Sequence, residues 1–173
     1  MTRRPAPRLS AQHTLVLPIA KRTWPPPAAA VRVHGLLFAP KRELHITVIG
    51  SALGRELQAA WAADALHEAI GAALFAQDWR FERSGRLLQL GRPAAEGGAT
   101  RTTGAIIELV DLPAMAPFHA ALGRLLGRDL PVPPAHVTLY THGSATGIGI
   151  ASDAALRALT VRELTAGDLH PTA

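Results

Sequence analysis

Two short segments of the sequence carry the same pair of chemically active side chains at the same spacing. His45 and Thr47 lie within the apolar segment 44–50, and His136 and Thr138 lie within 135–140. Because successive side chains of a β-strand point to opposite faces, each histidine and threonine would share one face of a strand. An imidazole exchanges protons near neutral pH, and a hydroxyl donates a hydrogen bond to an oxyanion. The pattern therefore predicts the wall of an active site.

The apolar context of the two motifs matters more than the bare spacing. Two further histidines, His142 and His170, also stand two residues before a serine or threonine. Gly143 and Pro171 occupy the middle position of these matches and disfavour the interior of a strand. The repeated motif in an alternating apolar context is therefore the feature that predicts function.

The segments 45–48 (HITV) and 136–139 (HVTL) resemble the motifs of the 2H phosphoesterase superfamily, in particular its bacterial 2′-5′ RNA ligase-like members. The resemblance implies an α+β fold of two lobes, with antiparallel sheets lining a central cleft and helices packed outside. It implies that His45 and His136 are the catalytic acid and base, in an order that the sequence leaves open. Thr47 and Thr138 would bind the non-bridging phosphate oxygens. The expected reaction is metal-independent opening of 2′,3′-cyclic phosphates of RNA ends or nucleotides, with reversible 2′-5′ RNA ligation as a secondary activity.

Further residues near the motifs are candidates for binding the substrate. Strict alternation directs Tyr140 to the face of Thr138, where it would stack on a base or bond a phosphate; packing within the sheet is the alternative. Arg42 and Lys41 precede the first motif and would either hold a phosphate or form a solvated turn. His142 lies close enough in sequence to reach the rim. The remaining histidines are expected to be structural or exposed: His13, His34, His67, His119 and His170.

Three other functions remain open on the sequence alone. The protein could hydrolyse another nucleotide phosphodiester, such as an ADP-ribose cyclic phosphate or a cyclic signalling nucleotide. It could bind RNA or nucleotides without turning them over, or be an α+β scaffold in which the motifs coincide by chance. No cofactor and no metal are expected, since the chain has no cysteine and neither motif has a carboxylate at a ligand spacing.

The composition is that of a globular, basic protein. The chain has 173 residues, a hydrophobic fraction of 48% and a net charge of +5 that comes mainly from arginine, which favours phosphate contacts. We expect a disordered leader over residues 1–10 and a single two-lobed domain over 11–173. The apolar run near the N-terminus is too short for a membrane span, so a cytoplasmic monomer that does not bind membranes is expected.

The order of predicted elements favours an antiparallel α+β fold over a doubly wound one. A Pro-rich loop over 23–28 and a strand replace the helix that usually links the first strand to the first motif in the family. The predicted helix over 51–77 is either covered on two sides by other elements or broken near Gly54. The predicted loop over 91–103 is expected to mark the crossing between the two lobes. Besides the motif strands, we predict strands over 13–19, 31–39 (with a bulge at Gly35), 79–81, 86–90, 104–110, 148–151 and 160–165, helices over 51–77, 117–126 and 153–159, and a mobile loop over 91–103.

Overall fold

A computed structural model describes residues 7–96 and 99–172 of the protein, with the backbone alone described over 93–96 and 99–101. The described residues form an α+β fold with an antiparallel, curled sheet, as the sequence predicts. The strands are β1 (Leu15–Pro18), β2 (Val31–Val33), β3 (Leu36–Pro40), β4 (His45–Ile49), β5 (Glu82–Glu96), β6 (Ala99–Asp111), β7 (His136–His142), β8 (Thr160–Leu164) and β9 (His170–Pro171). The helices are α1 (Ser51–Ala60), α2 (Ala63–Phe75), α3 (Met115–Leu126) and α4 (Asp153–Leu159).

Strand β7 is the branch point of the sheet. One of its edges pairs with β6, which continues through β5 to β8. Its other edge is divided between β4, which pairs at Val137, and β3, which pairs at Tyr140 and Thr141. β1 pairs with the free edge of β4, and β2 and β9 continue outward from β3. The two motif strands are therefore neighbours although they are far apart in sequence.

The faces of the sheet are covered differently. Ile46 and Val48 of β4 and Val137 of β7 are buried in the main core, to which the helices α1, α2 and α3 contribute. Full burial of such a side chain stabilises a fold by about 1.5–3 kcal/mol. On the other face, a smaller cluster covers β5 and β6 with Ile148, Ile150 and side chains of α4. The main core thus anchors the backbone of the motif strands from one side only.

The predicted strand over 31–39 is wrong, because this segment is a β-hairpin. β2 and β3 pair antiparallel, with Val33 opposite Leu36. The two residues between them, His34 and Gly35, have φ angles of 47° and 82°. Positive φ at both central positions is the conformation of a tight hairpin turn, so Gly35 belongs to a turn and not to a bulge.

The predicted helix over 51–77 is two helices, α1 and α2. The break falls at Trp61, which has an extended backbone and donates its indole N–H to the carbonyl of Leu125, at 2.9 Å. Gly54 lies inside α1 and not at a break. A Cβ at Gly54 would lie only 1.8 Å from the carbonyl oxygen of His13, so the missing side chain allows the N-terminal segment to cross the helix closely.

The region 79–103 also differs from the prediction. The predicted strand over 79–81 is wrong, whereas the one over 86–90 is confirmed as part of the longer strand β5. Residues 91–96 and 99–103 of the predicted loop belong to β5 and β6, which pair from Glu82 and Asp111 as far as Glu96 and Ala99, and residues 97–98 lie outside the described residues. Gly85, with a φ of 73°, lies at an irregularity within β5 and does not end it. The loop was predicted because glycines and a proline are frequent there, but pairing of two adjacent strands overrides these local preferences.

Most of the remaining predicted elements are confirmed. Helix α3 ends at Gly127, which has a φ of 66°, and the side chain of Ser152 caps α4 by accepting from the amide of Ala155. The strand predicted over 148–151 is wrong, since these residues form an irregular segment whose isoleucines pack on the sheet.

The predicted leader lies partly outside the described residues, which begin at residue 7. Within its described part, Leu9 packs against the core, and the amide of Ser10 donates to the carbonyl of Thr14. Among the described residues, none of the helices has the length and apolar character needed to cross a membrane.

Candidate functional site

The register between β4 and β7 brings the two motifs side by side. Ile46 is paired with Val137 in an antiparallel ladder. Continuing this register by one residue in each direction sets His45 opposite Thr138 and Thr47 opposite His136. In this continued register each histidine faces the threonine of the other motif. The effect of His45 on the pKa of His136 agrees with the two rings being close together.

Alternation along both strands gives these four side chains a common face. Ile46 and Val137 are buried, whereas His45, Thr47, His136 and Thr138 are half-buried. Directly opposite residues of an antiparallel pair have Cβ atoms about 4.5–5.5 Å apart, and diagonal neighbours about 7–8 Å apart. The histidines are diagonal neighbours, a separation at which two imidazoles can flank a single small anion. The predicted pairing of histidine and threonine on one face thus agrees with the geometry.

The ring of His136 is held by its own backbone. Its Nδ1 lies 2.9 Å from the carbonyl oxygen of Pro134. A carbonyl oxygen only accepts, so Nδ1 carries the proton of this hydrogen bond and Nε2 bears the lone pair of the neutral ring. Burial lowers the pKa of His136; the bond to Pro134 opposes this shift, and the neighbouring His45 adds to it. The ring is therefore prepared to accept a proton at Nε2.

The ring of His45 has a different environment. Burial lowers its pKa, Lys41 lowers the pKa further, and Glu43 raises it. Lys41 is fixed on this side of the ring, because its Nζ donates to the carbonyl of Ala145 at 3.0 Å. Within the described part of the chain, the ring of His45 has no hydrogen-bond partner. Two motifs of the same type thus hold their histidines in distinct electrostatic surroundings.

The two threonine hydroxyls are available to a ligand. Among the described residues, neither Thr47 nor Thr138 has a hydrogen-bond partner for its side chain. The segment after β7 passes close to Thr138, and a Cβ at Gly147 would lie 2.9 Å from its Oγ1. The hydroxyl of Thr138 therefore fits beside the backbone only because residue 147 is a glycine. The sequence of the motif alone does not reveal this requirement.

A cavity of about 760 Å³ opens at the His45 end of the ladder. Lys41 and Arg42 contribute to its wall, as do His45 and His142. Arg42 is exposed, as expected of either a phosphate contact or a solvated turn. His142 is held in place, since its Nδ1 donates to the carbonyl of Leu37 at 2.7 Å. Cationic side chains therefore lie beside one of the two imidazoles.

Tyr140 does not share the environment of the motif side chains. It is 8% exposed and belongs to the main core, together with Ile106 and Phe38. The pairing of β6 with β7 shifts between Ile106 and Ile107, so that Ile106 is opposite Tyr140 and Ile107 is opposite Thr138. This irregularity breaks the alternation on which the sequence argument relied. The environment of Tyr140 favours the packing role over contact with a substrate.

The polar environment of His119 has no signal in the sequence, from which this histidine is expected to be structural or exposed. The side chain is 2% exposed, its Nε2 donates to the carbonyl of Val48 at 2.9 Å, and its Nδ1 is buried without a partner. No local pattern signals this, because the partner belongs to a distant strand. The described residues contain no group of three or more His, Asp or Glu side chains that could hold a metal ion.

Comparison with known proteins finds no match among family models, curated proteins or solved structures. The case for a function therefore depends on the residues and on their geometry.

Proposed function

We propose that the protein is a metal-independent phosphodiesterase that opens 2′,3′-cyclic phosphates of RNA ends or nucleotides, in the manner of the 2H phosphoesterases that its motifs resemble. The observation that carries the proposal is the pairing of Ile46 with Val137, because it gathers both imidazoles and both hydroxyls on one face. General acid–base catalysis of a phosphodiester needs a proton acceptor and a proton donor on either side of one phosphorus atom. This face supplies both.

We assign the role of general base to His136 and that of general acid to His45. Nε2 of neutral His136 removes a proton from water while the water oxygen bonds to phosphorus. The protonated ring of His45 delivers its proton to the ribose oxygen as the bond between that oxygen and phosphorus breaks. Thr47 and Thr138 donate hydrogen bonds to the non-bridging oxygens, whose negative charge grows in the transition state. The bond from Nδ1 of His136 to Pro134 is the reason for this order, since in the neutral ring it fixes the tautomer whose lone pair is on Nε2.

Two finer features belong to the same proposal. The halves of the chain that carry β4 and β7 correspond to the two lobes of the family fold, with the phosphate bound where the strands meet. Reversal of the same steps, with a ribose hydroxyl in place of water, gives 2′-5′ ligation of RNA ends as a secondary activity. Lys41 and Arg42 contribute positive charge at the mouth of the cavity, which attracts a phosphate at long range.

The test is hydrolysis of a nucleoside 2′,3′-cyclic phosphate by the wild type and by the variants His45→Ala and His136→Ala. General acid–base catalysis contributes about 10²–10⁴-fold for each group, so each variant should lose at least 10²-fold in kcat. His170→Ala is the matched control, because His170 begins a bare match of the motif on an exposed strand. Full activity in either motif variant contradicts the mechanism.

A panel of substrates and a chelator separate the competing functions. Turnover of a cyclic signalling nucleotide or of an ADP-ribose cyclic phosphate, with none of the 2′,3′-cyclic nucleotide, would assign the same chemistry to another diester. Binding without turnover of any of them would indicate a nucleotide-binding protein. Activity that survives chelation supports the two-histidine mechanism, and a strict requirement for added divalent metal opposes it.

A further inference from the structure

A second cavity, of about 450 Å³, lies at the opposite end of the motif ladder from Lys41. Its wall includes Gly50 and the first residues of α1, three residues beyond Thr47 along the chain. At a rise of about 3.3 Å per residue, the cavity begins about 10 Å from Thr47. The wall also includes Gly149, in the segment that passes Thr138. The cavity therefore lies beyond the C-terminal end of β4, within the length of one nucleotide or two from the candidate site.

The start of α1 supplies hydrogen-bond donors to this cavity. Gly50 precedes the helix with an extended backbone, and no side chain caps the first turn. The first hydrogen bond of the helix runs from the amide of Gly54 to the carbonyl of Gly50, so the amides of residues 51–53 have no partner within the helix. Such amides and the positive end of the helix dipole bind anions.

The charges around the cavity match a singly charged anion. Arg128 is paired with Glu56, with Nη2 2.6 Å from Oε2, and this pair contributes little net charge. Arg92 also contributes to the wall, and no acidic partner is found for it in the part of the chain that the structure describes. Arg92 and the half charge of the helix end together supply more than one positive charge, which is enough to balance the single negative charge of a phosphodiester.

The buried imidazole of His119 supplies a third, independent feature. His119 contributes to the wall of the cavity, and its buried Nδ1 has no hydrogen-bond partner among the described residues. Because Nε2 donates its proton to the carbonyl of Val48, Nδ1 carries a lone pair and can only accept. A phosphodiester has no proton to give at neutral pH, whereas a ribose hydroxyl does. An unpaired buried acceptor is unfavourable, so a ligand that donates to it gains affinity.

We propose that this cavity binds the nucleotide next to the one that carries the cyclic phosphate. Its phosphodiester lies against the start of α1 and Arg92, and a ribose hydroxyl donates to Nδ1 of His119. The inference rests on the proposed function and narrows it, because it makes oligonucleotide ends, and not free mononucleotides, the preferred substrates.

The test measures binding without turnover. Calorimetry on the double variant His45→Ala/His136→Ala compares the dissociation constants of two ligands. One is a ribodinucleotide and the other a mononucleotide, and both end in a 2′,3′-cyclic phosphate. The dinucleotide should bind at least tenfold more tightly. Arg92→Gln in the same background should reduce the ratio of the two dissociation constants at least threefold. Arg162→Gln, which removes the same charge from the exposed face of β8, is the matched control and should leave the advantage intact.

The position of the ligand is read from the ring signals of His119 by NMR, which should shift with the dinucleotide but not with the mononucleotide. Equal affinities for the two ligands, no binding of either, or an advantage that Arg92→Gln does not reduce would overturn the assignment of the cavity. Failure of the proposed function has a separate signature, namely that the wild type leaves both ligands uncleaved while the dissociation constants still differ.

Discussion

The substitution Gly147→Ala tests whether the position of Thr138 matters for catalysis. The new Cβ would lie 2.9 Å from Oγ1 of Thr138, whereas a carbon and an oxygen in contact rest no closer than about 3.3 Å. One of the two must therefore move by about 0.4 Å. The segment that carries Gly147 is held on both sides, by the bond from Lys41 to Ala145 and by the burial of Ile148. We therefore expect the hydroxyl of Thr138 to be displaced.

The size of the effect follows from this displacement. A misplacement of 1 Å in an active site costs up to about 10²-fold in rate, so 0.4 Å corresponds to about sixfold, or about 1 kcal/mol of transition-state stabilisation. Complete removal of the hydroxyl by Thr138→Val sets the upper limit, which is about 10²–10³-fold for a donor to a developing oxyanion. Gly147→Ala should therefore fall between the wild type and Thr138→Val.

The chain offers a matched control two residues away. Gly149→Ala adds the same methyl group to the same segment, but no heavy atom lies within 4 Å of its position. Both substitutions reduce the freedom of the unfolded chain to the same extent, so only Gly147→Ala adds a steric effect. The assay is kcat/KM for a nucleoside 2′,3′-cyclic phosphate. Wild-type kcat/KM in Gly147→Ala, or an equal loss in Gly149→Ala, would refute the reasoning.

Three further predictions concern charge and pH. The pKa values of His45 and His136 are lowered, mainly by burial, so the bell-shaped profile of kcat/KM should peak below pH 6.5; a maximum above pH 7.5 would contradict the assignment. Burial also lowers the pKa of His119, so the unfolded state takes up its proton first as the pH falls below 6.5. The free energy of unfolding, measured by denaturant titration, should therefore decrease between pH 7 and 5.5, by at most about 1.4 kcal/mol per pH unit for this histidine, with a smaller slope in His119→Phe. The side chain of Glu108 is 2% exposed and that of its partner Arg83 is 54% exposed. Arg83→Met leaves a buried charge unpaired and should lower the free energy of unfolding by about 3 kcal/mol, whereas Glu108→Gln removes that charge and should lower it by about 1–2 kcal/mol. Equal losses in denaturant titrations would show that the buried charge is not the reason.

The motif strands were predictable from sequence because their signal is local. His45 and Thr47 alternate with residues that reach the main core, and the same holds for His136 and Thr138. Helix α3 was predictable for a similar reason, since its apolar stripe and its terminal glycine are contiguous. The sequence thus identified which side chains share a face of each strand.

The errors occur where distant segments decide the structure. Among the described residues, the paired strands β5 and β6 take up 91–96 and 99–103, which belong to a segment whose own preference is for a loop. The environment of Tyr140 depends on a shift of register against β6, and that of His119 on a carbonyl of β4. None of these partners is adjacent in sequence, so local residue patterns do not predict these contacts.

The two motifs are alike in sequence, and their flanking segments make them different. Before the second motif, Pro134 presents a carbonyl oxygen that orients the ring of His136 and fixes its proton on Nδ1. Before the first motif, the turn supplies Lys41 and Glu43, whose opposite charges act on His45. An acid and a base must differ in the proton that each holds, and different surroundings determine which of the two rings holds it. The proposed division of labour therefore originates in the residues that lead into each strand, while the motifs provide only the groups that carry the protons.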